Sequence, residues 1–306
     1  MNILGKRYYF FALSLLIIVS GLILLGIKGV PLSIDFKGGT LLEVKFANGQ
    51  FPSTEAIKKI YDNNQIKDLQ SQETSQGTLI LRSSELSDEV RVKIIDELST
   101  LAGSDVEIQR SESVGASIGQ GVTRRALYAV ILSALAVVFY ITFAFRGVPH
   151  AFRYGICAII AMLHDVLIVI ALTGFGAMFF GWQVDSLYLT AVLTVIGFSV
   201  QDKIVVFDRI RENSGIYRKL DFETLANHSI IQTLQRSINT QLMTSEFFLL
   251  ALALFGGVTL REFAVILLVG LLSGTYSSIF IAAPLLVVWE NKEWKTWFGK
   301  KPATAS

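Results

Sequence analysis

The sequence predicts a polytopic α-helical membrane protein: six transmembrane helices, with one external ferredoxin-like α+β domain between the first and second spans. Three observations carry the prediction. Hydrophobic residues make up 52% of the 306 residues and mean hydropathy is +0.53, with only 17% charged residues; soluble chains carry about 25%. Apolar runs lie near 8–27, 127–145, 154–180, 187–207, 239–257 and 263–288, and about 20 apolar residues cross a bilayer. One long polar segment, near 30–122, interrupts them.

The first run follows Lys6 and Arg7, is longer than a signal-peptide core and precedes no A-x-A site, so it reads as a retained anchor. Basic residues choose the orientation. Lys6, Arg7, Arg146, Arg153, Arg209, Arg211, Arg218, Lys219, Arg236, Lys292, Lys295, Lys300 and Lys301 fall on one side, against Arg261 in the short loops of the other. That basic side is expected to be cytoplasmic and to hold both termini. Arg124 and Arg125 are exceptions beside a large domain, which translocates regardless of charge. The expected division is a first transmembrane helix over 1–29, an external domain and linker over 30–122, a five-helix bundle over 123–291 and a cytoplasmic tail over 292–306.

Within the polar segment, Thr40–Ala47 alternates like a strand. Ser53–Asn64 reads as a helix capped by Ser53. Lys67–Glu73 and Thr78–Ser83 form a hairpin pair around Gly77. Leu86–Leu101 is a second helix, with Leu86, Val90, Ile94 and Leu98 four apart, and Val106–Val114 is a closing strand. The order β-α-β-β-α-β is ferredoxin-like. Gly115–Gly121 reads as a linker back to the membrane; no βαβ unit surrounds it, so it is not a dinucleotide loop.

Chemistry concentrates in Gly197–Asn213, where ionisable residues stand inside an apolar run. A carboxylate in hydrocarbon costs about 2.5–3.5 kcal/mol, so Asp202 is expected to face a partner or a water path. Asp202 precedes the rim at Asp208 by six residues, and Arg236 follows a helix start near Ile230 by six. The two are therefore expected at similar depth on antiparallel neighbours. A guanidinium and desolvation push a carboxyl in opposite directions, a balance suited to a proton carrier; a static pair joining two helices is the alternative. Lys203 shares no face with Asp202 and is expected to snorkel to the surface. Glu246, in the fifth run, is a candidate subsidiary relay group or a contact to a partner's helix; a protonated or lumen-facing glutamate with little role is the alternative. Asp165, beside His164 in the third, is a candidate relay residue or a helix-packing contact. Asp35, Gly38 and Gly39 mark a hinge and anchor, or a plain turn. Asp208, Arg209, Arg211 and Glu212 are expected to build a short surface helix on the cytoplasmic rim. Small residues Gly270, Ser273, Gly274 and Ser277 favour close helix packing.

Ile34-Asp35-Phe36-Lys37-Gly38-Gly39, Leu163-His164-Asp165-Val166, the run Gly197 through Asn213 and Gln232 through Thr240 resemble the motifs of the SecF family, the smaller membrane subunits of the SecDF accessory complex of the Sec translocon. The resemblance covers essentially the whole chain. It implies a resistance-nodulation-division-type membrane fold and a SecD partner. It also implies work beside the SecYEG translocon and its accessory membrane subunits on a preprotein chain, driven by the proton-motive force after the ATP-driven step. Residues matching Asp202 and Arg236 would take part in proton movement, with a further carboxylate from SecD. Where the family usually has Asn-Asp-Ser/Thr, this chain has Gln201-Asp202-Lys203.

A half of a heteromeric exporter for small molecules or lipids, and a non-transporting scaffold for the translocon, are the competing readings. An enzyme is not expected, since no H-E-x-x-H stands in the sequence. The lone Cys157 forms no internal disulfide. Three histidines with no ligand spacing give no metal or cofactor site, and no nucleic-acid partner is expected.

Overall fold

The structure, a computed structural model, describes residues 2–74, 76–146, 150–241 and 246–297. It has two compact units: Met1–Gly29 with Val130–Met178 and Thr190–Ser306, and Val30–Ala129 with Phe179–Leu189.

The helical unit opens with α1 (Arg7–Lys28). The other unit begins with a helical turn, α2 (Ile34–Lys37), then β1 (Gly39–Phe46), α3 (Thr54–Asn63), β2 (Gln70–Glu73), β3 (Leu79–Ser83), α4 (Asp88–Ala102) and β4 (Val106–Val114). The strands form one antiparallel sheet in the order β2-β3-β1-β4. Leu42, Val44 and Phe46 alternate along β1 and bury one face with Leu79 and Leu81 of β3, because successive strand side chains point to opposite sides. Ile57 and Tyr61 of α3 and Ile94 and Leu98 of α4 complete that core. Ser53 caps α3 by accepting from the Ala56 amide at 3.3 Å, and Ser87 caps α4 by accepting from Val90 at 3.4 Å.

Three places differ from the sequence expectation by more than one residue. The first hairpin strand starts at Gln70, not Lys67, because Asp68 takes φ 61, which breaks an extended chain. The second helix starts at Asp88; Leu86 precedes the Ser87 cap and drops into the core instead. The expected Gly115–Gly121 linker is helical, the first turns of α5 (Ala116–Ala144). Glycine-rich sequence is a poor helix former, but close packing holds this one. Thr123 Oγ1 donates to the Phe36 carbonyl at 3.0 Å, and Gly119 approaches Gly38 so closely that a Cβ would stand 2.7 Å from the Gly38 nitrogen.

Phe179–Leu189 joins this same unit. Leu32 and Val184 form a parallel bridge, Ser33 N donates to Val184 O at 2.9 Å, and Gln183 Nε2 donates to Gln70 Oε1 at 2.7 Å.

The helical unit continues with α6 (Ala151–Phe179), α7 (Ser186–Ile216), α8 (Phe222–Gln241), α9 (Phe247–Phe255) and α10 (Val258–Ser277); a π-helical turn over Ser278–Ala282 leads into α11 (Ala283–Glu290) and the short α12 (Trp294–Trp297). The π turn lies just ahead of Pro284, which offers no backbone N–H to a helix. Among the described residues, five stretches are long and apolar enough to cross a membrane: Leu4–Lys28, Ala116–Ala144, Ala151–Phe179, Ser186–Ile216 and Leu260–Glu290. Residues 242–245 of the expected fifth span lie outside the described residues. Asp208–Glu212 is not a separate surface helix: α7 runs unbroken through it to Ile216. Close approaches set the bundle. A Cβ on Gly174 of α6 would strike the Gly21 carbonyl of α1, and one on Gly270 of α10 would strike Val195 of α7.

Candidate functional site

Ser199 and Lys203 stand four apart on α7, and Ser273 and Ser277 four apart on α10, so each pair shares a helix face. Both faces meet Asp165 of α6. Oδ2 of Asp165 accepts from Lys203 Nζ at 2.8 Å, Ser199 Oγ at 2.5 Å and Ser277 Oγ at 2.7 Å; Oδ1 accepts from Ser273 Oγ at 2.8 Å and faces His164 Nδ1 at 3.1 Å. Lys203 Nζ also donates to Ser199 O and Ser199 Oγ, both at 2.6 Å, which uses all three of its N–H groups. Asp165 and Lys203 are each 0% exposed. Burying two ions costs several kcal/mol each; direct pairing and the complete set of donors offset that cost. The snorkelling expected of Lys203 does not occur, because Asp165 meets its ammonium inside the bundle.

His164 stacks on Tyr276 of α10 with ring centroids 6.1 Å apart. Its Nε2 is buried without a hydrogen-bond partner among the described residues.

Asp202, one residue before Lys203, turns to a different neighbour. Its Oδ2 accepts from Thr275 Oγ1 of α10 at 2.8 Å, and the side chain is half-buried. The expected pairing with Arg236 does not form: among the described residues no cation contacts Asp202, and its side-chain partner is Thr275. The physical reason lies in α8, which starts at Phe222 rather than near Ile230 and leaves Arg236 exposed. Arg236 lines a groove of about 600 Å³ with Tyr140, Gly197, Gln201 and Ile204.

Glu246 is buried, with Oε1 unpartnered among the described residues. Asp208 pairs with Arg211 at 2.5 Å and Arg209 with Glu212 at 2.6 Å, exposed pairs along α7. Arg209 also reaches Gln232 of α8 at 2.7 Å. Asp35 accepts from the Ser186 amide at 2.9 Å, and Asp185 accepts from the Tyr188 amide at 2.7 Å, so two carboxylates cap α7, where donors are free. Burial, aided by repulsion from Asp35, holds the Asp185 carboxyl above its ordinary value. Gly38 and Gly39 adopt φ 81 and 133; a Cβ on Gly38 would lie 2.7 Å from Ala116 Cα, and one on Gly39 would strike the Ser83 carbonyl.

The residues that sequence reasoning missed are Lys203 as a buried partner, Ser199 and Thr275. Polar residues at i and i+4 on two apolar helices, Ser199 with Lys203 and Ser273 with Ser277, were the available signal for the cluster.

Apolar helices that bury a charged pair, in a chain that also carries a small α+β unit, define a polytopic membrane protein. The chain belongs to the SecD/SecF family of protein-export membrane proteins. The family model "Protein export membrane protein SecD/SecF, C-terminal" matches residues 93–292, and "SecD/SecF GG Motif" matches residues 23–49, which include Gly38 and Gly39. The chain is 63% identical to protein translocase subunit SecF of Anaerolinea thermophila, over 100% of both chains, and 44% identical to that of Thermobaculum terrenum, over 96% of this chain and 95% of the relative. A crystal structure of SecDF from Thermus thermophilus, a translocon-associated membrane protein, aligns with TM-score 0.83 and 32% identity over 95% of this chain; the chain spans 39% of that longer protein. The fold and the relatives together assign it a SecF-type role in protein translocation.

Proposed function

We propose that the chain works with a SecD partner, using the proton-motive force to promote preprotein passage through the Sec translocon after the ATP-driven step. Six spans, both termini in the cytoplasm, the α+β unit on the outer face and residence in the cytoplasmic (inner) membrane belong to this reading. So do contacts with the translocon and its accessory subunits.

Asp202 is the proton carrier, and one observation carries that assignment. Asp165 is locked to Lys203, whereas Asp202 is held by a neutral hydroxyl, with no cation in contact among the described residues. Asp202 can therefore gain or lose charge without leaving an ammonium stranded in the bundle. Arg236 of α8 is the basic group of this reading, and Glu246 is a subsidiary group. One proton crossing 100 mV releases about 2.3 kcal/mol, enough to shift a two-state element more than tenfold.

The test is preprotein export in inverted vesicles carrying the partner and either the wild-type chain or Asp202→Asn. The expected result is an assembled complex whose export no longer responds to the membrane gradient. Full gradient-dependent export by Asp202→Asn rejects the assignment.

A further inference from the structure

Lys203 Nζ makes three contacts within 2.8 Å, all to oxygen: the Asp165 carboxylate, the Ser199 carbonyl and the Ser199 hydroxyl. Ser273 and Ser277 hold the same carboxylate from the α10 side. Every side chain of this cluster is at least nine-tenths buried. Carboxylate, carbonyl and hydroxyl oxygens are hard donors, suited to hard cations rather than to soft, thiolate-seeking metals. One carboxylate balances one positive charge; a divalent ion would leave a net charge inside the bundle. The four-carbon stem of Lys203 carries its charge into that cage.

We propose that the Lys203 ammonium is a tethered cation filling an oxygen-lined site for Na⁺ or Li⁺, so that this chain carries covalently the charge that a free ion would otherwise bring. Two consequences follow. Asp165 is compensated at every moment, so no ion exchanges there in the native chain. Shortening the tether opens the cage: with the stem gone, the room it occupied and the uncompensated carboxylate together admit a free cation.

The experiment uses the full-length chain purified in detergent, with thermal unfolding followed in NaCl, LiCl and choline chloride at equal ionic strength. Wild type is expected to unfold at the same temperature in all three. Lys203→Ala is expected to be less stable in choline chloride, with a Tm that climbs with the logarithm of the Na⁺ concentration, as for a ligand that binds only the folded state. Lys203→Met fills the space without the charge, and Asp165→Asn/Lys203→Ala lacks the anion; both are expected to be indifferent to Na⁺. Equal Tm values for Lys203→Ala in Na⁺ and choline overturn the proposal. So does failure to recover folded Lys203→Ala in either salt, because Na⁺ should replace the missing charge. A Na⁺-dependent rise in wild type or in Asp165→Asn/Lys203→Ala overturns it too, since the ion would then bind elsewhere.

Discussion

Lys203 Nζ sits 2.8 Å from Asp165 Oδ2, with both side chains wholly enclosed between α6, α7 and α10. The pair places a charge and its countercharge on two helices of the bundle, α6 and α7. Four expectations follow from this contact and from others in the two units.

Removing one member of the pair strands the other. Asp165→Ala should destabilise the helical unit by about 3–5 kcal/mol, whereas Asp165→Asn with Lys203→Met, which removes both charges at similar volume, should be near neutral. Thermal or denaturant unfolding in detergent reads the difference. Equal losses for the single and double variants would show that the charge pair is not what matters there.

Two glycines on α5 should respond in opposite directions. A Cβ at Gly119 meets the Gly38 backbone at 2.7 Å, while one at Gly121 meets nothing within 4 Å. Gly121→Ala should therefore stabilise by about 0.5–1 kcal/mol, the ordinary gain of alanine over glycine in a helix. Gly119→Ala should cost about 1–3 kcal/mol, as overpacking does. Melting temperatures of the two variants decide it, and a stabilising Gly119→Ala would mean that the α2–α5 contact is looser than the structure shows.

Glu293 ties the chain ends of the helical unit together: Arg7 Nη2 donates to it at 2.6 Å and Tyr8 OH at 2.6 Å, while Arg7 Nη1 reaches Glu223 at 3.1 Å. Burial alone would raise the Glu293 carboxyl, but the hydrogen bonds from Tyr8 and Arg7 outweigh it and hold it below the ordinary glutamate value. Its contribution is therefore complete above the unfolded-state value and is lost as pH falls through the lower folded-state value. Glu293→Gln should cost about 1–3 kcal/mol at neutral pH and converge on wild type in acid. A constant difference across that range would remove the carboxylate from the explanation.

Tyr61 fills the α+β core with no exposure, and its hydroxyl has no partner among the described residues. Burial pushes that hydroxyl's ionisation well above the ordinary tyrosine value. Tyr61→Phe deletes an unsatisfied polar atom, whose burial costs about 1–3 kcal/mol. The melting temperature should rise or hold; a fall of several degrees would reveal a partner for the hydroxyl.

Much of this architecture was legible from residue pattern alone. The strand at Val106–Val114 has the bounds expected of it, and the β-α-β-β-α-β order followed from local alternation, capping serines and helical spacing. These signals are local: a Ser53 hydroxyl caps a helix start within its own turn. The errors came where distant residues override local preference. Gly115–Gly121 reads as a linker by composition, yet it is helical because Phe36 and Gly38 pack against it. Asp202 stands out in the sequence as an acid within an apolar run and was expected opposite Arg236, but its hydrogen-bond partner is Thr275, some seventy residues further along the chain.

Amino-acid order by itself determined that apolar helices would carry a few charges among them, because hydrophobic length and the cost of burying an ion are properties of the residues. Which charge meets which was decided only by the packing of α6, α7 and α10. Lys203 and Asp202 are neighbours in the chain, but about 100° of helical rotation separates them, so one faces Asp165 and the other Thr275. That divergence, set by where three helices come to rest, distinguishes a buried ion pair from a carboxylate bonded to a neutral hydroxyl.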